Sequence, residues 1–388
     1  MGVGRGPGGP PHQGNVETVR VDPAINRQVP PALSAPRLRT PIAGRILGVR
    51  KGVPLEMNMR IIVKPSVILA AVTISLLCSC GGGRHEAGEI YVLVSDNTKI
   101  AYWQEAAAGL RDAARELGVA AEMVGPETYD PKAEKEEFLN VVHRKIPPAG
   151  ILVSAADPEV LRDAIDAAAA AGIPVVTIDS DSPKSKRLTF IGTNNYVAGQ
   201  MSGELVAKEL AGKGSVALYG IHGQANVDER VEGCKRVLAR YPGIKILPLV
   251  DMAGDPAKAF DGTRDLIAQG KTPPDAFVCL EALSCNEVAD VLDRAGIKDK
   301  TIVAMDTQEG TLSWMRKGMI RATIAQKPYT MAYFGTRMLD DFHHAKPNAD
   351  TGSLGSTRSR VPVFVDTGAT LVDKSNVASF TAVAPPAR

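Results

Sequence analysis

From Ala87 onward, short uninterrupted apolar runs alternate with amphipathic stretches, and this rhythm limits the possible folds more than any other feature of the chain. Residues 90–95 (IYVLVS), 120–124, 150–153 and 174–178 read as strands. Between them, 102–117, 131–145 and 158–171 read as helices, the first stopped by Gly118 and the third by Gly172. Pro131 suits the first turn of its helix, where no backbone N–H is needed. The rhythm then restarts. Strands are expected at 215–219, 245–250, 276–280, 301–305 and 321–325, with helices at 196–210, 227–240, 256–269, 284–295, 310–317 and 329–342. Short strands at 361–365 and 370–372 close the pattern. Strands that are apolar throughout are buried on both faces, which calls for parallel sheets covered by helices on each side. Two such runs predict an α/β protein with two Rossmann-like doubly wound lobes.

The front of the chain has a different composition. Residues 1–58 hold nine Gly and nine Pro and show no convincing periodicity. They read as a disordered leader, or as sequence ahead of a true translation start at Met57 or Met59. From Met59 the chain reads MRIIVKPSVILAAVTISLLCSC. Arg60 and Lys64 precede a 13-residue uncharged run, Pro65 to Leu77, which is shorter than the ~20 residues a membrane span takes. It has the length of a signal-peptide core. Leu77-Cys78-Ser79-Cys80 then resembles a bacterial lipobox, with Cys80 as the residue to be acylated. Residues 59–79 are thus expected to be a lipoprotein signal peptide and 80–88 a glycine-rich tether. An ordinary signal peptide cleaved nearby, or a short membrane anchor, stays open.

Charge follows the same boundary. The whole chain carries 45 Lys+Arg and 43 Asp+Glu, a formal +2. Residues 1–79 hold ten bases and three acids, leaving 35 and 40 for residues 80–388, a formal −5. No strong field for nucleic acid is implied. Five cysteines are too few for a disulfide scaffold. Beyond Cys78 and Cys80 there remain Cys234, Cys279 and Cys285, an odd number, so at least one thiol is free; a Cys279–Cys285 bridge stays open.

In doubly wound sheets, ligands bind beyond the carboxyl ends of the strands. Those ends are polar here: Ser95-Asp96, Ser154, Asp179-Ser180, Glu281, Asp306 and Gln326. Around them the chain resembles the ribose-binding type of periplasmic sugar-binding protein. The stretches that carry the resemblance are IPVVTIDSDSPKSKRLTFIGTNNYVAGQMSGELVAKEL (173–210), GQANVDERVEGCKRVL (223–238), TIVAMDTQEG (301–310) and IRATIAQKPYTMAYFG (320–335). The likeness covers roughly residues 89–380 and implies the type I periplasmic binding protein fold, with lobes joined by a three-crossing hinge. Mapped here, lobe one is 89–193 plus 327–359 and lobe two is 194–326 plus 360–380. The crossings fall near Thr193-Asn194, Gln326-Lys327 and Ser359–Pro362, and 381–388 is an unstructured tail.

A neutral sugar offers hydroxyls that donate and accept, and a C–H face. The resemblance places ring-stacking aromatics at Tyr102 and Trp103, a hydroxyl-accepting carboxylate at Asp179, and a fork of donors at Arg230 in the pattern Arg-x-x-Gly. Asn226 lies one turn before Arg230 on the same helix face. Glu281 stands where the ribose pattern has asparagine, while Asp306 and Gln326 match in type and place. Weaker ligand candidates are Lys99, Ser154, Asp157 and Ser180. A ribose binder has arginine where Ser180 stands, so a donor is missing and ribose itself is disfavoured. Three acids against Arg230 disfavour an anionic ligand and permit a neutral or amino sugar.

The implied function is capture of a sugar by an extracytoplasmic lipoprotein, periplasmic or at the cell surface. This protein would be a monomer, lipid-anchored to a bacterial membrane, and would serve an ABC permease. It would need no cofactor, metal or nucleic acid and have no catalytic residues. A sensory receptor of the same fold, signalling to a membrane kinase or chemoreceptor, is the alternative. The lobes also resemble LacI-type effector domains, but residues 1–58 contain no helix-turn-helix pair. An enzyme is less favoured: no Gly-rich phosphate loop follows the first strand, where SDNTKIAYW stands. His222 reads as a loop residue, and His343-His344 as a solvated helix end.

Overall fold

The computed structural model describes residues 84–345 and 361–380. The expected leader, signal peptide, Cys80 and tail lie outside the described residues. The first elements are β1 (Ile90–Val94), α1 (Ala101–Leu117), β2 (Ala120–Val124), α2 (Pro131–Val142), β3 (Gly150–Val153), α3 (Pro158–Ala170), β4 (Val175–Ile178) and β5 (Phe190–Gly192). They are followed by α4 (Asn195–Glu209), β6 (Lys213–Gly220), α5 (Ala225–Leu238), β7 (Gly243–Ile246), β8 (Val250–Asp251), α6 (Pro256–Leu266) and β9 (Ala276–Cys279). Then come α7 (Ser284–Arg294), β10 (Thr301–Met305), α8 (Glu309–Arg316), β11 (Ala322–Ala325), α9 (Pro328–His344), β12 (Phe364–Asp366) and β13 (Thr370–Val372).

These strands form two sheets, ordered β12-β5-β4-β3-β1-β2 and β13-β11-β10-β9-β6-β7, with β8 also paired to β6. The order β5-β4-β3-β1-β2 recurs as β11-β10-β9-β6-β7, so one topology is used twice. Neighbours run parallel, apart from the antiparallel β11–β13 pair. Successive side chains of a strand point to opposite faces, and β1 shows the consequence. Tyr91 and Leu93 pack with Leu110 of α1 and Met331 and Leu339 of α9. Val92 and Val94 pack on the other face with Phe138 of α2 and Leu161 and Ile165 of α3. Each such buried aliphatic or aromatic side chain stabilises the fold by about 1.5–3 kcal/mol relative to exposure.

Three helices start with the same pair of residues. Asp130, Asp157 and Asp255 each accept backbone N–H bonds at a helix start, and each precedes a proline in the first turn. The carboxylate satisfies otherwise unpaired donors, and proline needs none there.

Four details differ from the sequence reading. Strand 245–250 is broken into β7 and β8, with Pro248, which has no N–H for the ladder, between them. The three-residue β5 was too short to show a period. Residues 364–366, expected in lobe two, pair in parallel with β5 of the first sheet. The third crossing therefore follows Asp366 rather than lying at 359–362. Finally, Cys234, Cys279 and Cys285 are all free and buried, so the Cys279–Cys285 bridge is absent. Cys285 instead lies 3.0 Å from the Thr311 hydroxyl. Burial pushes the Cys234 and Cys285 thiols up to about 12, which keeps them protonated and unreactive.

Two of the three crossings are hydrogen-bonded to each other, and the remaining one lies against them. The Thr367 amide donates to the Gly192 carbonyl at 2.8 Å, and the Asn194 amide donates to the Asp366 carboxylate at 3.1 Å. Gly368 has φ +75°, and a Cβ there would lie 3.6 Å from Lys327 Nζ on the remaining crossing. The passages between the sheets thus sit side by side.

Candidate functional site

A pocket opens between the carboxyl ends of the two sheets, with an empty volume of about 490 Å³, part of it open to solvent. Tyr102, Trp103, Asp179, Asn226, Arg230, Glu281, Asp306 and Gln326 all line it. The eight principal candidates from the sequence are therefore brought together, although they come from six separate helices and strand ends spanning 225 positions (102 to 326, counted inclusively).

Asp179 ends β4 and Asp306 ends β10, equivalent places in the repeated topology. Both have left-handed backbones, φ 60° and 65°, which is uncommon outside glycine and most tolerated by Asn and Asp. Asp179 Oδ1 accepts from Tyr102 OH at 2.6 Å. Its Oδ2 accepts from Asn226 Nδ2 at 3.0 Å and from Ser154 Oγ at 3.2 Å. Asp306 accepts from Gln326 Nε2 at 3.2 Å.

Arg230 is almost fully buried, and its guanidinium serves three acceptors. Nε donates to Asn195 Oδ1 at 2.8 Å, and the two terminal nitrogens to Leu280 O at 3.0 Å and Gln326 Oε1 at 2.8 Å. The Arg-x-x-Gly spacing has a packing cause. A Cβ on Gly233 would lie 2.1 Å from the Tyr196 carbonyl, and one on Gly199 would lie 2.0 Å from the Arg230 carbonyl. The two glycines let α4 and α5 touch backbone to backbone. That contact brings Asn195, at the start of α4, within reach of Arg230.

Asp96 and Gln224, unassigned in the sequence reading, complete the polar wall. Asp96 accepts from Trp103 Nε1 at 2.5 Å and from Gln224 Nε2 at 3.1 Å. Asp96 stood among the polar strand ends, and that was the signal to follow; Gln224 carried none. Tyr129, Ile221 and Leu283 add apolar surface. Desolvation, reinforced by the neighbouring Asp179 charge, pushes Asp96 up to about 7. Desolvation likewise pushes Asp306 to about 7, against the pull of Arg230. Burial also raises Asp179 and Glu281.

The weaker candidates lie elsewhere. Lys99 points outward and pairs with Glu127 at 3.0 Å. Asp157 spends its carboxylate capping α3. Ser154 supports Asp179 from behind, and Ser180 is buried away from the pocket. Glu281 does line the pocket, but its oxygens accept from the Leu283 amide at 2.6 Å, the Ser284 amide at 3.0 Å and the Ser284 hydroxyl. It is chiefly the cap of α7.

The pocket lies where doubly wound sheets hold ligands, and a family model described as periplasmic binding protein domain matches residues 90–346. The chain belongs to the periplasmic binding protein family. Ribose import binding protein RbsB of Haemophilus influenzae is 25% identical over 280 residues, 71% of this chain and 92% of that protein. RbsB of Bacillus subtilis is 25% identical over 202 residues, half of this chain and 63% of that protein's length. Among solved structures, the sugar-binding protein of a sugar ABC transporter from Bacillus halodurans superposes with a TM-score of 0.67 at 32% identity, over 76% of this chain and all of that one. The pocket sets four carboxyl groups against one guanidinium.

Proposed function

We propose that this protein captures a neutral monosaccharide-like sugar between its two lobes and delivers it to the membrane permease of an ABC importer. Asp179 carries the reading. Its carboxylate is shared by Tyr102 and Ser154 from the first-sheet side and Asn226 from the second, so sugar hydroxyls can replace bonds already aimed into the pocket. Hydroxyls would donate to Asp179, Asp306 and Asp96 and accept from Arg230, Asn226 and Gln224. Hydrogen bonds to charged groups contribute about 1.5–3 kcal/mol each. Tyr102 and Trp103 would offer aromatic surface to the sugar's C–H face, adding about 0.5–1.5 kcal/mol. The excess of carboxyl groups works against sugar phosphates and sugar acids. The functions named for the relatives, ribose import and sugar transport, support the same class.

Binding is the whole of the proposed activity, with no chemistry on the ligand. The protein would act outside the cytoplasm as a monomer, held to the membrane by lipid on Cys80. Among the described residues, no helix is long and apolar enough to cross a membrane. A Cys80→Ser variant should leave the membrane fraction; retention there would remove the lipid anchor from the proposal.

The deciding experiment is a thermal-shift screen of neutral pentoses, hexoses, amino sugars and polyols. A ligand that binds only the folded state raises the melting midpoint by mass action. A rise with a neutral or amino sugar is expected. No response to any sugar, with a response to amino acids or peptides, would overturn the assignment.

A further inference from the structure

Away from the pocket, the arm that enters β1 meets the last turn of α9. The side chains of His85, Glu89, Asp340 and His344 converge there, their nearest ligand atoms all within 4.8 Å of one another. His344 is not the solvated helix end its sequence context suggested. We propose that these four residues form a divalent-cation site, suited to zinc, that fastens the arm to α9.

The donor set is two imidazole nitrogens and two carboxylate oxygens, which suits four-coordinate zinc. Asp340 and His344 are four apart on one helix and so share a face. His85 Nε2 lies 2.8 Å from Asp340 Oδ1, and His344 Nε2 lies 3.4 Å from Glu89 Oε2. Zinc bonds of about 2.0–2.2 Å in a tetrahedron separate ligand atoms by roughly 3.3–3.6 Å, so small rotations suffice. The surrounding bonds orient the ligands as metal sites require. His344 Nδ1 donates to the Asp340 carbonyl at 3.0 Å, which leaves the Nε2 lone pair facing Glu89. Tyr91 OH donates to Glu89 Oε1 at 2.8 Å and holds the other oxygen toward the site.

Charge points the same way. The Glu89 and Asp340 side chains are only 3% and 2% exposed, yet Arg84, 3.1 Å from Asp340, is itself 47% exposed and is shared with Asp341. Two buried carboxylates, of which only Asp340 meets that partly hydrated guanidinium, leave a deficit that a dication removes. The imidazoles, at 17% and 18% exposure, leave a path for entry.

The test uses the full-length chain, purified in detergent, stripped with a chelator and titrated with zinc alone. One equivalent should bind and raise the melting midpoint. His85→Gln and His344→Gln should each weaken zinc binding by at least about tenfold, and the double variant should lose the site. Cobalt(II) should give visible bands of a four-coordinate site in the parent and not in the double variant. Circular dichroism identifies folded variants. Absence of zinc uptake by the parent, or equal uptake and stabilisation in the folded double variant, would overturn the proposal.

Discussion

Arg230 satisfies three buried acceptors, so its removal does more than weaken a ligand contact. Arg230→Ala leaves Asn195, Leu280 and Gln326 unpaired in a buried setting. With each lost partner costing about 1–3 kcal/mol, chemical denaturation should show at least about 3 kcal/mol less stability. Arg230→Lys should recover only part of that, because an ammonium cannot reproduce the planar fork. Asp96 and Asp306 predict a pH dependence. Their carboxyl groups titrate at about 7 in the folded chain, against an ordinary value of 3.8. Between those values the folded state holds more protons than the unfolded one, so stability falls as pH rises from about 4 to about 7, then levels off. Melting midpoints across that range should decline, and the Asp96→Asn, Asp306→Asn double variant should flatten the slope. An equally steep decline in the double variant would show that other groups carry it. Asparagine fits at 96 because the Gln224 amide can turn to accept from it. A single strand-end rule exposed Asp179, Asp306 and even Asp96 in the sequence. Asp157 caps a helix instead, since nothing in one residue type separates a cap from a ligand, and Lys99, a candidate by its place in the resemblance, pairs with Glu127, a partner set by a loop.

The helices α4 and α5 turn that chemistry into a packing problem. Gly233 and Gly199 face each other's backbones, and a methyl group at 233 would sit 2.1 Å from a carbonyl oxygen. Gly233→Ala must push the helices apart, at a cost of about 1–3 kcal/mol. Because Arg230 lies one turn away, sugar affinity should fall as well, although Gly233 touches no ligand. Calorimetry on the folded variant with an identified sugar tests this, and unchanged affinity would show that the helix contact does not position Arg230. Strand and helix boundaries were legible wherever a segment carried its own stop signal: Gly118 ends α1, and the Asp-Pro pairs begin α2, α3 and α6. Legibility failed where pairing partners decide the outcome. β5 has three residues and takes its place from β4 and β12, and β12 joins the first sheet because Phe364 finds Phe190.

Repetition of one topology in two sheets places Asp179 and Asp306 at equivalent strand ends, and the three neighbouring crossings leave the sheets joined along one edge. Opposite that edge, direct bonds span the pocket: Gln224 to Asp96 at 3.1 Å and Asn226 to Asp179 at 3.0 Å. Each joins a residue of the second lobe to one of the first. They stand where sugar hydroxyls would go, and bonds that span the pocket favour the closed arrangement of the lobes. A ligand can shift a two-state equilibrium only by its differential affinity for the two states. Weakening these bonds should therefore open the free protein and leave closure to the ligand. Gln224→Ala combined with Asn226→Ala should enlarge the radius of gyration in small-angle scattering without sugar. An identified sugar, supplied at saturation, should restore most of the compaction, because Asp179, Asp306 and Arg230 remain. A free double variant as compact as the parent would mean that the crossings, rather than the bonds across the pocket, set the closed geometry.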